Sequence, residues 1–69
     1  MRVQWVNGFT IAVRIEDGAV ILSANREGLL SLARQMTDMA ETESGRHLHL
    51  DAYNGLEDHS AEFIIEKTD

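Results

Sequence analysis

Cysteine is absent from the 69 residues, which excludes a disulfide framework and any cysteine-based zinc site. Long apolar runs are missing too: none approaches the ~20 residues that span a bilayer. The first residues lack the charged-then-apolar order of a secretory signal, so the sequence reads as a soluble cytoplasmic protein, mature from Met1. Basic residues are scarce, six against twelve acidic ones, for a net charge of −6. The scarcity is uneven. Residues 1–35 carry Arg2, Arg14, Arg26 and Arg34 against Glu16, Asp17 and Glu27, giving +1. Residues 36–69 carry Arg46 and Lys67 against nine acids, giving −7. Such a surface repels phosphate backbones and argues against a nucleic-acid ligand. It attracts and steers a basic protein, and it also serves plain solubility. A chain this short is one domain, 1–69, and folding buries only about 60% of its surface.

The segment that reads most clearly as a helix is 25–41, NREGLLSLARQMTDMAE. Leu29, Leu32, Ala33, Met36, Met39 and Ala40 recur at three- and four-residue steps and are expected on its buried face. Asn25 suits the N-cap, where its side-chain oxygen accepts from free first-turn amides, and Glu27 suits the positive end of the helix dipole.

The rest alternates with a period of two. Residues 2–6 and 9–16 flank Asn7-Gly8, and Asp17-Gly18 precedes 19–24, so residues 1–24 read as a three-stranded meander. A two-residue turn at Asp17-Gly18 pairs Ile15 with Val20, Val13 with Leu22 and Ile11 with Ala24, a coherent core face. The same turn at Asn7-Gly8 sends Trp5 and Val3 outward. Either the loop is bulged and Trp5 lies in the core, or Val3, Trp5, Ala12 and Ile21 form an apolar outer strip fit for a partner or a second copy. Beyond the helix, 46–50 alternates with Leu48 and Leu50 in and His47 and His49 out. Residues 51–60 form an acidic turn-rich loop anchored by Tyr53 and Leu56. Residues 61–67 are the last strand, Phe63 and Ile65 in, Glu62, Ile64 and Glu66 out. The expected fold is α+β, a small two-layer sandwich of order β-β-β-α-β-β with one helix on a mostly antiparallel sheet. The fourth strand could join either edge of the meander.

Candidate chemistry is thin. His47 and His49, two apart on a strand, sit roughly 6.5–7 Å from each other and could reach one ion, but Asp51 lies about 13 Å from His47. Only His59 or a glutamate of the last strand could complete a metal site. The alternative is two histidines on the solvated face of a half-buried strand, set next to Glu62 and Glu66 if the last two strands pair. Glu57 and Asp58 could pair as acid and base, yet no nucleophile motif, oxyanion donor or cofactor loop accompanies them. The sequence is therefore read as neither an enzyme nor a cofactor binder.

Four strings occur in order: Asn25-Arg26-Glu27-Gly28-Leu29-Leu30 with Leu32-Ala33; His47-Leu48-His49-Leu50-Asp51; Asn54-Gly55-Leu56-Glu57; and Glu62-Phe63-Ile64-Ile65-Glu66-Lys67. In these, over about two-thirds of the chain, the sequence resembles the immunity protein 32 family of bacterial polymorphic toxin systems. The resemblance implies a cytosolic antidote that binds a cognate toxin and blocks it. Physical reasoning, not the resemblance, then selects contacts with a basic toxin: Asp51, Tyr53, Glu57 and Asp58 on the loop, His47, His49, Glu62 and Glu66 on the adjoining face, and Trp5 if it points outward. Two other classes compete. One is a structural or regulatory module that forms a homodimer through Val3, Trp5 and Ile21; the other is a metal binder using His47 and His49.

Overall fold

The computed structural model of the protein describes residues 5–42 and 47–69. Its elements run β1 (Ile11–Glu16), β2 (Ala19–Ala24), α1 (Arg26–Ala40), β3 (His47–Leu50) and β4 (Phe63–Glu66). The fold is a small α+β arrangement of one helix and two antiparallel strand pairs, β1 with β2 and β3 with β4.

Asp17 and Gly18 both adopt positive φ, 51° and 82°, the requirement of a tight turn whose twist matches its strands. That turn sets the register Ile15↔Val20, Val13↔Leu22 and Ile11↔Ala24, as the sequence implies. At Asn7-Gly8 the amide of Phe9 donates to the Val6 carbonyl at 3.2 Å, and Gly8 has φ +84°. The turn is therefore present, but the strand begins at Ile11 rather than residue 9, and Trp5 and Val6 are not in a strand. Residues 2–4 of the expected first strand, and Val3 with them, lie outside the described residues.

The two pairs are joined through the free edge of β1. The amides of Glu57 and Ala61 donate to the carbonyls of Ile11 and Val13, each at 2.8 Å, so residues 57–61 run parallel to β1 before entering β4. Five residues there span only three of β1. The excess is taken up by a turn, Ser60 N donating to Glu57 O at 3.2 Å with His59 at φ +68°. The Ser60 hydroxyl then accepts from the Val13 amide at 3.2 Å, replacing a ladder carbonyl.

The helix meets this layer through an unexpected face. Asn25 is the N-cap, its side-chain oxygen accepting from Gly28 N at 2.7 Å. The buried residues are Gly28, Ser31, Leu32, Gln35 and Met39, whereas Leu29, Ala33, Met36 and Ala40 are exposed. The expected apolar face is thus turned by about a quarter of a turn, at 3.6 residues per turn. Small residues explain it. A Cβ on Gly28 would stand 2.5 Å from the Thr10 carbonyl oxygen and 2.9 Å from Ile11 Cγ1, so the helix can approach β1 this closely only through glycine. One turn on, the fully buried Ser31 hydroxyl donates to Glu27 O at 2.8 Å and accepts from Val6 N at 2.7 Å. At the other end Lys67 Nζ donates to the Thr42 carbonyl at 2.6 Å, supplying positive charge where the helix dipole is negative.

The core is Ile11, Val13, Leu32, Met39, Leu48, Leu50 and Leu56, with Trp5, Phe9, Leu22, Phe63 and Ile65 among those packed against it. Ile15 and Val20, expected in that core, are instead 64% and 60% exposed, because the hairpin tip extends past the helix, which packs at the Ile11–Ala24 end. Gln35 is 1% exposed, and neither amide atom has a partner among the described residues.

Two outcomes follow in urea unfolding. Gly28→Ala lowers stability by about 1–3 kcal/mol despite alanine's better helix propensity, because the methyl meets backbone; a gain would contradict the packing. Gln35→Met raises it by about 1 kcal/mol, since a buried amide without partners is replaced by an apolar chain of similar length, and a loss would mean that the amide is satisfied.

Candidate functional site

Alternation along β3 turns Leu48 and Leu50 inward and His47 and His49 outward. On β4 the outward residues are Ile64 and Glu66. The register His47↔Glu66 and His49↔Ile64 gathers these side chains on one face. The two imidazoles meet edge to face with centroids 4.8 Å apart, and His49 Nδ1 lies 3.6 Å from Glu62 Oε2. The sequence-based expectation that both histidines neighbour the glutamates of the last strand matches this geometry.

The chain leaves β3 through a loop dense in internal hydrogen bonds. Asp51 organises it: its carbonyl accepts from Asn54 N and Leu56 N, both at 3.0 Å, and its carboxylate accepts from Tyr53 N at 2.9 Å. Asn54 Nδ2 donates to His49 O at 2.7 Å. Leu56 pins the far end in the core, and Gly55, at φ +94°, passes beneath the Trp5 ring. A Cβ there would stand 2.5 Å from Trp5 Cη2, so glycine is required twice over. Tyr53 is held at the apex by its own backbone while its side chain is 99% exposed. An aromatic ring presented on a fixed loop binds at low ordering cost.

The candidate residues therefore divide. His47, His49, Glu62 and Glu66 share the β3–β4 face, and Tyr53 stands on the loop that continues it. Glu57 and Asp58 are exposed on the turn against β1. Asp51, half-buried, is spent on internal hydrogen bonds. Trp5 is half-buried, stacked on Phe9 at 4.5 Å and laid over Gly55, so its contacts are intramolecular. Ile21 is half-buried on β2. Ile64 was not among the expected contacts, although period-two alternation already pointed it outward; it is an exposed apolar centre between histidine and glutamate. Among the described residues no three histidine, aspartate or glutamate side chains gather as a metal site would need. Two shallow surface depressions, one along α1 lined by Leu30, Ala33, Arg34, Thr37 and Asp38 and one around Asn25, hold no histidine and no pair of carboxylates among the described residues. No helix among the described residues is long and apolar enough to cross a membrane.

The family model described as Immunity protein 32 matches residues 19–68, a span that contains α1, β3, the loop and β4. No curated protein and no solved structure matches the chain.

The division of roles has a direct check. Tyr53→Ala leaves the unfolding midpoint unchanged within about 0.5 kcal/mol, as expected of an exposed side chain. Asp51→Ala, which frees the Tyr53 amide, costs about 1 kcal/mol or more. Equal effects of the two substitutions in chemical denaturation would contradict the assignment.

Proposed function

The chain belongs to the Immunity protein 32 family, and we propose on that basis that it is an antidote that binds one cognate bacterial toxin in the cytoplasm and blocks it by occlusion. It acts by stoichiometric binding and not by catalysis. The observation that supports this most is that the family match takes in all the exposed candidate contacts: the β3–β4 face of His47, His49, Glu62, Ile64 and Glu66, Tyr53 on its loop, and Glu57 and Asp58 on the turn against β1 all fall inside residues 19–68.

That face has the make-up of an interface. Tyr53 and Ile64 are exposed hydrophobic anchors, and His47 and His49 extend the contact area between them and the acids. Glu62 and Glu66 add two negative charges on that face, and Glu57 and Asp58 add two more on the exposed turn against β1. Desolvated central anchors supply most of the affinity of such an interface, while rim charges mainly speed association. The partner is accordingly a basic toxin domain, such as a nuclease, whose own substrate-binding charge the acidic rim would cover.

The test takes the basic toxin domain recovered in a pull-down with this protein as bait and titrates it with purified protein. One equivalent abolishes toxin activity, and affinity falls as salt rises. Tyr53→Ala weakens binding about tenfold or more, a loss of at least about 1.4 kcal/mol. Glu57→Lys with Asp58→Lys lowers the association rate, most at low salt, and leaves dissociation nearly unchanged. Toxin activity that persists at several equivalents of this protein would overturn the proposal.

A further inference from the structure

The quarter-turn rotation of α1 leaves an apolar helix face outside the core. Leu29 is 54% and Met36 44% exposed, Leu30 is exposed beside them, and Ala33 lies between. Arg26 flanks this face in the first turn, and Glu41 is the C-cap. Each charge stands at the helix end whose dipole disfavours it. Arg26 is largely exposed and reaches only Glu27, at 3.6 Å; Glu41 has no ion pair among the described residues.

We infer that this face is covered by a second copy of the chain, with the two α1 helices antiparallel about a two-fold axis near Ala33. The face is complementary to itself. An antiparallel pair sets Leu29 and Leu30 against the Met36 turn of the other copy. It also brings Arg26 beside Glu41 and beside the negative end of the opposite helix, and the two-fold axis makes each contact twice. A small residue at the crossing lets the helices approach. An unrelated partner would have no reason to match basic and acidic ends placed symmetrically about one apolar centre. A single helix face is smaller than the ~800 Å² per partner of a standard interface, so the dimer is weak and concentration-dependent. It leaves the β3–β4 face free and does not depend on the toxin-binding proposal.

The experiment is sedimentation velocity of the intact protein from micromolar to millimolar concentration at low ionic strength. The wild type shifts from monomer to dimer. Met36→Glu, at an exposed position, stays monomeric with an unchanged circular dichroism spectrum and melting temperature. Arg26→Glu and Glu41→Arg each weaken the dimer severalfold, and the double variant regains it, because reversing both charges restores the pairs across the axis. Tyr53→Ala leaves the dimer intact. A wild type that is monomeric at millimolar concentration overturns the inference. So does a dimer insensitive to Met36→Glu, lost with Tyr53→Ala, or not regained by the double charge reversal.

Discussion

The side-chain amide of Asn25 holds together three pieces of chain. Its oxygen accepts from Gly28 N at 2.7 Å and from Thr10 N at 2.9 Å, and its nitrogen donates to Gly8 O at 3.0 Å. The backbone N–H of Asn25 also donates to Thr10 O at 3.2 Å. The helix start, the entry to β1 and the Asn7-Gly8 turn are thereby fixed to one another. Because the cap binds Gly28 and the Thr10 backbone together, Gly28 must face β1. The phase of α1 follows from that, and so does the choice of which side chains the helix buries.

The same constraint accounts for both outward faces. With Gly28 and Ser31 against β1, α1 lies close to the layer but contributes only Leu32 and Met39 as large apolar side chains to the core. Leu48, Leu50 and Leu56 complete it, which ties β3 and the acidic loop to the hairpin at one small centre. Residues 57–61 carry that connection along the edge of β1 by backbone bonds and the Ser60 hydroxyl. Glu57 and Asp58 are thus displayed on an ordered edge, and Tyr53 on a loop whose backbone groups are met by Asp51 and Asn54. Preorganisation of this kind reduces the ordering cost of binding.

Local rules carried the sequence reading a long way. Turn chemistry at Asp17-Gly18 was enough to give the β1–β2 register, and the Asn25 cap and the outward pair His47 and His49 were equally legible. The helix face was not. Hydrophobic periodicity counted Leu29, Ala33 and Met36 as core because it cannot see that Gly28 and Ser31 are needed where backbone approaches backbone. The placement of Trp5 was open for a related reason: its packing partners, Phe9 and Gly55, include one fifty residues away. The joining of the two strand pairs rests on a side-chain hydroxyl standing in for a carbonyl, a substitution with no periodic signature. Alternation, being local, was enough to turn His47, His49, Ile64 and Glu66 to one side of the strands, whereas the hydrogen bonds that Asp51 makes within its loop depend on the loop closing back on itself.

The most direct test of the account is hydrogen–deuterium exchange of this protein, free and bound to the basic protein that it captures as bait in a pull-down. Slowed exchange confined to residues 47–66, with α1 unchanged, is the result expected if the acidic face with Tyr53 at its apex is the binding surface. Protection concentrated on α1, with residues 47–66 exchanging as in the free protein, would contradict that assignment and place the toxin on the helix.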